Sequence, residues 1–256
     1  MNDRILLPDI ARSFCVLEIV AFWHMFDYCV PIEWKDDYSF LTYGSLACFT
    51  FISGLFCGKK EMNFKKFYLS RMKRFLPLLA IALSLFCLFH ITSFKVAIIS
   101  LLGISCFTPY QPLTLWYFAM IILFYWLTPI LFYSQNGRCK QKTFLCRSML
   151  VYIIFIALDN IIEMDDRIII YFPFYVLGIL FPLKKLEMFG YNYKSILLIG
   201  LVILILNSYC LFFIHDILSE IVTATGCMLL ILSLSAFIEK CDMGGGKKGC
   251  EIFILY

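Results

Sequence analysis

Charge is scarce in this chain. Asp, Glu, Lys and Arg make up only 16% of its 256 residues, against about a quarter in ordinary soluble domains. With 62% of the residues hydrophobic, a soluble domain of this length cannot hide the apolar surface. Cys-x-x-Cys spacing is missing among the twelve cysteines, which argues against a thiolate metal site. Most of these cysteines fall in or beside apolar runs, where free thiols act as small hydrophobes. The three histidines, His24, His90 and His215, are too dispersed for a metal site. No metal, no bound cofactor and no nucleic-acid partner is therefore expected. The alternation of a β-barrel is also missing; the apolar runs are continuous, as at Ile196–Leu206 and Ile221–Leu234. No internal repeat is present.

What the sequence does contain is a series of membrane-length apolar segments. A span needs roughly 20 apolar residues. Candidates are Leu6–Val30, Phe40–Cys57, Phe75–Ile91, Leu113–Tyr133, Ser148–Ile162, Ile168–Phe181, Ser195–Ile214 and Ile217–Ile238, with a further one beginning near Glu251. The expected fold is all-α: a polytopic transmembrane bundle of about eight full spans plus the start of a ninth. The N-terminal segment reads as a retained helix, because its charges and length do not suit a cleaved signal.

The segment 95–107 is apolar but short. Its thirteen residues would rise about 20 Å as a helix, less than a hydrocarbon core of ~30 Å. It is read as re-entrant or interfacial. Basic residues cluster in Gly58–Arg74, in Arg138, Lys140, Lys142 and Arg147, in Lys184, Lys185 and Lys194, and in Lys240, Lys247 and Lys248. If 95–107 stays on the outer side, all four clusters face the cytoplasm, as the positive-inside rule asks. The N-terminus is then cytoplasmic, while Glu33–Asp37 and Asp159–Asp166 face out.

The first span is the unusual one. It carries Asp9, Arg12, Glu18 and His24, and a charge at mid-span costs ~2.5–3.5 kcal/mol on insertion scales. Such residues mark a pocket or a path. Asp9 and Arg12, three apart, share a helix face. Glu18 has no partner at helical spacing. His24 can accept a proton near neutral pH, although an interfacial histidine beside Trp23 is an equally good reading of the residues alone. Arg71 and Arg74 share a face at a helix start and suit either phosphates or a topological anchor. Ser53-Gly54 fits a helix contact through small residues better than a nucleophile, and Trp116 fits an aromatic belt as well as a site.

Four patterns occur in order: Leu7-Pro8-Asp9-Ile10-Ala11-Arg12 with His24; Phe49-Thr50-Phe51-Ile52-Ser53-Gly54-Leu55; Phe67-Tyr68-Leu69-Ser70-Arg71-Met72-Lys73-Arg74-Phe75-Leu76-Pro77; and Leu115-Trp116-Tyr117-Phe118 with Tyr125 and Pro129 downstream. A weaker fifth surrounds Gly178 in 171–181. In order and spacing the chain resembles the acyltransferase-3 family of integral-membrane acyltransferases. Two departures stand out. Eleven residues separate Arg12 from His24, one more than the family pattern, which turns His24 by ~100° on an ideal helix unless a local bulge restores it. The stretch after Trp116 reads Met120-Ile121-Ile122-Leu123 where many members carry carboxylates. The family also has a longer chain, so this single domain over 1–256 is expected to lack one or more C-terminal spans.

The resemblance implies an O-acyltransferase of the inner membrane. The donor would be acyl-CoA, most often acetyl-CoA, and the acceptor a hydroxyl of a cell-surface glycan or its lipid-linked precursor. His24 would be the base, Arg12 its electrostatic partner and Asp9 the group orienting Arg12. Arg71, Arg74, Ser53 and Trp116 are the candidate donor- and substrate-binding residues. The rival is a multi-span transporter or glycan flippase, since intramembrane charges also mark translocation paths; the lack of a repeated pair of broken helices counts against it. A scaffold without activity is the third reading.

Overall fold

In a computed structural model of the chain, residues 6–23, 32–57, 64–108, 115–132, 141–162, 164–181, 187–210 and 217–244 are described. Among them the structure is all helical. The helices are α1 Leu7–Leu17, α2 Ile32–Leu55, α3 Phe64–Leu88, α4 Phe94–Leu101, α5 Trp116–Phe132, α6 Gln141–Ile162, α7 Arg167–Leu180, α8 Glu187–Cys210 and α9 Ile217–Gly244. A π-turn over Glu18–Trp23 extends α1, and a 3₁₀ turn over Ser105–Phe107 comes after α4.

Length and composition qualify two of these helices to cross a membrane, in Gln141–Ile162 and Ile217–Cys241. Phe40–Leu55, Trp116–Phe132, Arg167–Leu180 and Asn192–Asn207 are apolar but shorter. Among the described residues, then, two helices have full apolar length, and the expected eight full spans are not confirmed. The ninth segment, near Glu251, lies outside the described residues. Several helices also begin earlier than the apolar runs do. α2 takes in Glu33–Asp37 and α3 takes in 64–74, stretches whose charge reads as loop. Lys, Glu and Arg are good helix formers, so polarity alone misplaces these starts. Pro77, Pro129 and Pro173 all lie inside helices, where packing compensates the lost donor.

Two compact units emerge, one of Met1–Ile52 with Phe181–Tyr256 and one of Ser53–Leu180. In the first, α8 and α9 form a tight pair. A Cβ on Gly200 would lie 3.0 Å from the Gly226 carbonyl oxygen, so the glycines let the backbones approach. Farther along, Asn207 Nδ2 donates to Thr223 Oγ1 at 2.6 Å. Small residues and interhelical hydrogen bonds are what join helices where lipid removes the hydrophobic drive. The start of α1 is held by Glu239 of α9, whose Oε1 accepts from the backbone N–H groups of Leu6 (2.8 Å) and Leu7 (3.2 Å). A carboxylate there satisfies orphan donors and the helix dipole together.

In the second unit α4 packs on α3 and α5 through Leu79, Leu83, Ala97 and Ile122. The chain then turns at Gly103, whose φ of +73° and close approach to Ala119 and Ile122 leave no room for a side chain. α4 has eight residues and so rises about 12 Å, far short of a bilayer core. The short 95–107 segment is thus broken rather than spanning. Large apolar side chains face outward on α6 (Met149, Leu150, Ile153, Ile161) and on α8 (Leu198, Ile199, Ile205, Leu206). Exposure on that scale marks a contact surface. The eight cysteines among the described residues that are assigned a state are all free.

A labelling experiment tests the sidedness of 95–107. Cysteines placed at Ser93 and Gln111, in a chain stripped of native cysteines, are expected to react with an impermeant maleimide from the same, outer face. Reaction from opposite faces would make the segment a span and reverse the topology from Leu113 onward.

Candidate active site

α1 carries the first group of candidates. Arg12 Nη1 lies 3.9 Å from Asp9 Oδ1, the i,i+3 pairing that their spacing requires. The pair is half-exposed, and Ser13 Oγ donates to the Asp9 carbonyl at 3.0 Å. His24 lies outside the described residues. The path leading to it is described, and it is not a plain α-helix: Glu18–Trp23 winds as a π-turn. A π-turn holds one more residue than an α-turn. Such a turn is the kind of local bulge that can offset the ~100° that one extra residue adds on an α-helix.

Glu18 sits at the start of that turn, and its partners come from other helices. Thr42 Oγ1 of α2 donates to Glu18 Oε1 at 3.0 Å. Ser45 of α2 and Cys227 of α9 face the same carboxyl. Helical spacing within the first span gives no hint of these neighbours.

The second group lies in Ser53–Leu180. Arg71, half-buried, donates from Nη2 to the Phe56 carbonyl at 3.0 Å. Its guanidinium lies 5.7 Å from the Phe67 ring centroid and 5.6 Å from that of Tyr125, within cation–π range. Arg74, three residues on, is exposed. The two arginines therefore divide the work: one is seated in an aromatic socket and the other extends toward solvent.

Next to Arg71 the end of α2 meets α7. A Cβ on Gly54 would lie 2.1 Å from the Tyr175 carbonyl oxygen, so this glycine is a backbone-to-backbone helix contact. Ser53 is half-buried, and its carbonyl accepts from Cys57 Sγ at 3.1 Å. Tyr175 is fully buried. Its hydroxyl donates to Cys57 Sγ at 3.4 Å and shares a 2.5 Å hydrogen bond with Thr128. This satisfied network explains how a tyrosine and a threonine sit in an apolar core.

Trp116 lies at the other end of α5, nine residues before Tyr125, about 14 Å along the helix. Arg167 stands over its ring at 3.9 Å, and Tyr171 stacks on it with a centroid distance of 6.2 Å. Asp165 Oδ1 holds Arg167 through Nε (2.7 Å) and through the backbone N–H (3.1 Å), capping α7. The Cys106 carbonyl accepts from the Asp165 N–H at 3.1 Å, which ties the 3₁₀ turn to this cluster. Burial, with Asp165 adding to it, pushes the Cys106 thiol up to about 12, so it stays protonated. Asp165 and Arg167 are not among the candidates that the sequence alone singles out. The available signal is an aspartate two residues before an arginine at the start of an apolar run, the mark of a helix cap.

The acyltransferase-3 family profile, an acyltransferase domain, matches residues 6–241. The chain belongs to this family. Its members are membrane-associated acyltransferases. Comparison with curated proteins and with solved structures returned no match. The matched range takes in the Asp9–Arg12 pair, the Gly54 contact, the Arg71 socket and the Trp116–Arg167 cluster.

Proposed function

We propose that this protein is an inner-membrane O-acyltransferase that moves an acyl group, with acetyl-CoA the expected donor, to a hydroxyl of a cell-surface glycan or its lipid-linked precursor. The observation that carries the reading is the family match over residues 6–241. Acyl transfer from a thioester to a hydroxyl needs a base for the hydroxyl proton and a positive group near the developing oxyanion. His24 is the base and Arg12 the cation, with Asp9 holding the arginine in place. The π-turn between Arg12 and His24 supports this assignment, because a π-turn is the kind of local bulge that can take up one extra residue.

Arg71 and Arg74 receive the phosphates of the donor from the cytoplasmic side. A seated guanidinium that needs little ordering on binding is suited to an anion. Trp116, backed by Arg167 and Tyr171, and Ser53, near the Arg71 socket, are the further substrate- or acyl-CoA-binding residues of this reading.

Release of CoA by purified protein tests the reaction. It should require both acyl-CoA and a glycan acceptor; a chain that releases none with either would not be a transferase. The arginines have their own test. Replacing both Arg71 and Arg74 with Gln should raise the KM for acyl-CoA by roughly 10- to 100-fold, the loss of one or two charge-assisted hydrogen bonds, and leave the acceptor KM unchanged. An unaltered donor KM would reduce the pair to topological anchors.

A further inference from the structure

Among the described residues of the first helix and its π-turn, Glu18 is the acidic side chain that pairing with a cation does not account for. It begins the π-turn of Glu18–Trp23, a distortion that is rare and concentrates at functional sites. One carboxyl oxygen is satisfied: Thr42 Oγ1 donates to Oε1 at 3.0 Å. The other, Oε2, is buried and completes no hydrogen bond. Ser45 faces the same carboxyl, and its Oγ is also buried without completing a hydrogen bond. The Ser45 residue is only 1% exposed. Two adjacent buried polar atoms, an acidic oxygen and a hydroxyl, thus face each other with no hydrogen bond completed to any other group. Native proteins seldom leave such groups without water, ion or chemistry to engage them, and within a bilayer the cost is higher still.

The surroundings narrow the ligand. From α2 the carboxyl faces Thr42 and Ser45, and from α9 it faces the Cys227 thiol. Glu220 of α9 is two turns from Cys227 and is held by the Tyr43 hydroxyl at 2.9 Å. On its own helix the nearest charges are Arg12 and Asp9, six and nine residues earlier. Among the described residues no cation is placed against Glu18, and no group of three His, Cys, Asp or Glu forms a metal cluster. One carboxyl, two hydroxyls and a thiol suit a proton and a water molecule, not a metal ion.

The reaction needs such a group. In acyl transfer the acceptor O–H and the thioester C–S bonds break, a C–O bond forms, and the departing thiolate gains a proton. The proton that the base takes from the hydroxyl is the one that must reach the departing thiolate, which closes the proton balance. Glu18 is on the helix that leads to His24, six residues before it and six after Arg12.

We propose that Glu18, with Ser45 and a bridging water, is a proton-relay site inside the bilayer that takes up the proton abstracted from the acceptor hydroxyl and passes it to the departing thiolate. The relay rests on the acyl transfer proposed for this chain. Glu18 acts through the base and does not touch the substrate.

The test is Glu18→Gln, which keeps the shape and the Thr42 contact. Infrared difference spectra of the full chain in lipid, wild type minus E18Q, should show a carboxyl C=O band. That band should shift in D₂O and change amplitude with pH. In transfer assays at saturating acyl-CoA, E18Q should lose about 100-fold in kcat, the lower range for a proton-transfer group, with both KM values unchanged and a partial recovery in E18D. A band insensitive to D₂O and pH, or an E18Q kcat equal to wild type, overturns the relay. If wild type transfers nothing but the band still exchanges and titrates, the acyl-transfer reading falls and the proton site stands.

Discussion

Replacing His24 with Ala is expected to abolish transfer while the protein still inserts and purifies as a single species. Loss of a general base removes about 100- to 10,000-fold in rate, which places the variant at or below the background of most assays. The expectation rests on position. His24 follows in sequence directly after the π-turn of Glu18–Trp23, which extends the helix that carries the Asp9–Arg12 pair. The measurement is the rate of CoA release with acceptor present, normalised to folded protein by size-exclusion chromatography. Wild-type activity in the variant would remove His24 from the mechanism and leave Arg12 without a base to serve.

Gly54 carries the largest expected effect on stability. A methyl group there would meet the Tyr175 carbonyl oxygen at 2.1 Å, the Tyr175 carbonyl carbon at 3.0 Å and the Ile179 nitrogen at 3.1 Å. These are backbone atoms of α7 and cannot turn aside as a side chain would. Relief requires α2 and α7 to separate, which pulls on the Tyr175 hydroxyl and its bonds to Cys57 and Thr128. Gly54→Ala should cost about 1–3 kcal/mol, the range for forced overpacking, and lower the unfolding temperature in detergent. Gly54→Leu should fail to give a folded peak at all. A leucine variant as stable as wild type would show that the helices do not meet there.

Much of the first helix is readable from the residues. Asp9 and Arg12 are three apart, and that spacing is sufficient to pair them. The small-residue character of Ser53-Gly54 likewise points to a helix contact, which Gly54 makes. Glu18 is different. Its hydrogen bond comes from Thr42, twenty-four residues away, and no periodicity within one helix can reveal it. Glu239 is a stronger case, reaching the α1 N-terminus across more than two hundred residues. The Arg71 socket needs Tyr125 of α5, so the sequence shows the cation but not its seat. The starts of α2 and α3 are hidden for a local reason: charged residues that favour helix look like loop when only hydropathy is read. The π-turn lies between these cases. The count from Arg12 to His24 shows that one residue must be absorbed, but not where.

The central claim stands or falls on where the acyl group goes. The decisive measurement tracks acyl-labelled CoA and a lipid-linked glycan together, with purified protein in sealed vesicles. Acyl transfer predicts label on the glycan as a base-labile ester, one free CoA for each ester formed, and no label transfer by the His24→Ala protein. Glycan that crosses the bilayer unmodified while the thioester stays intact would contradict it and make the protein a transporter.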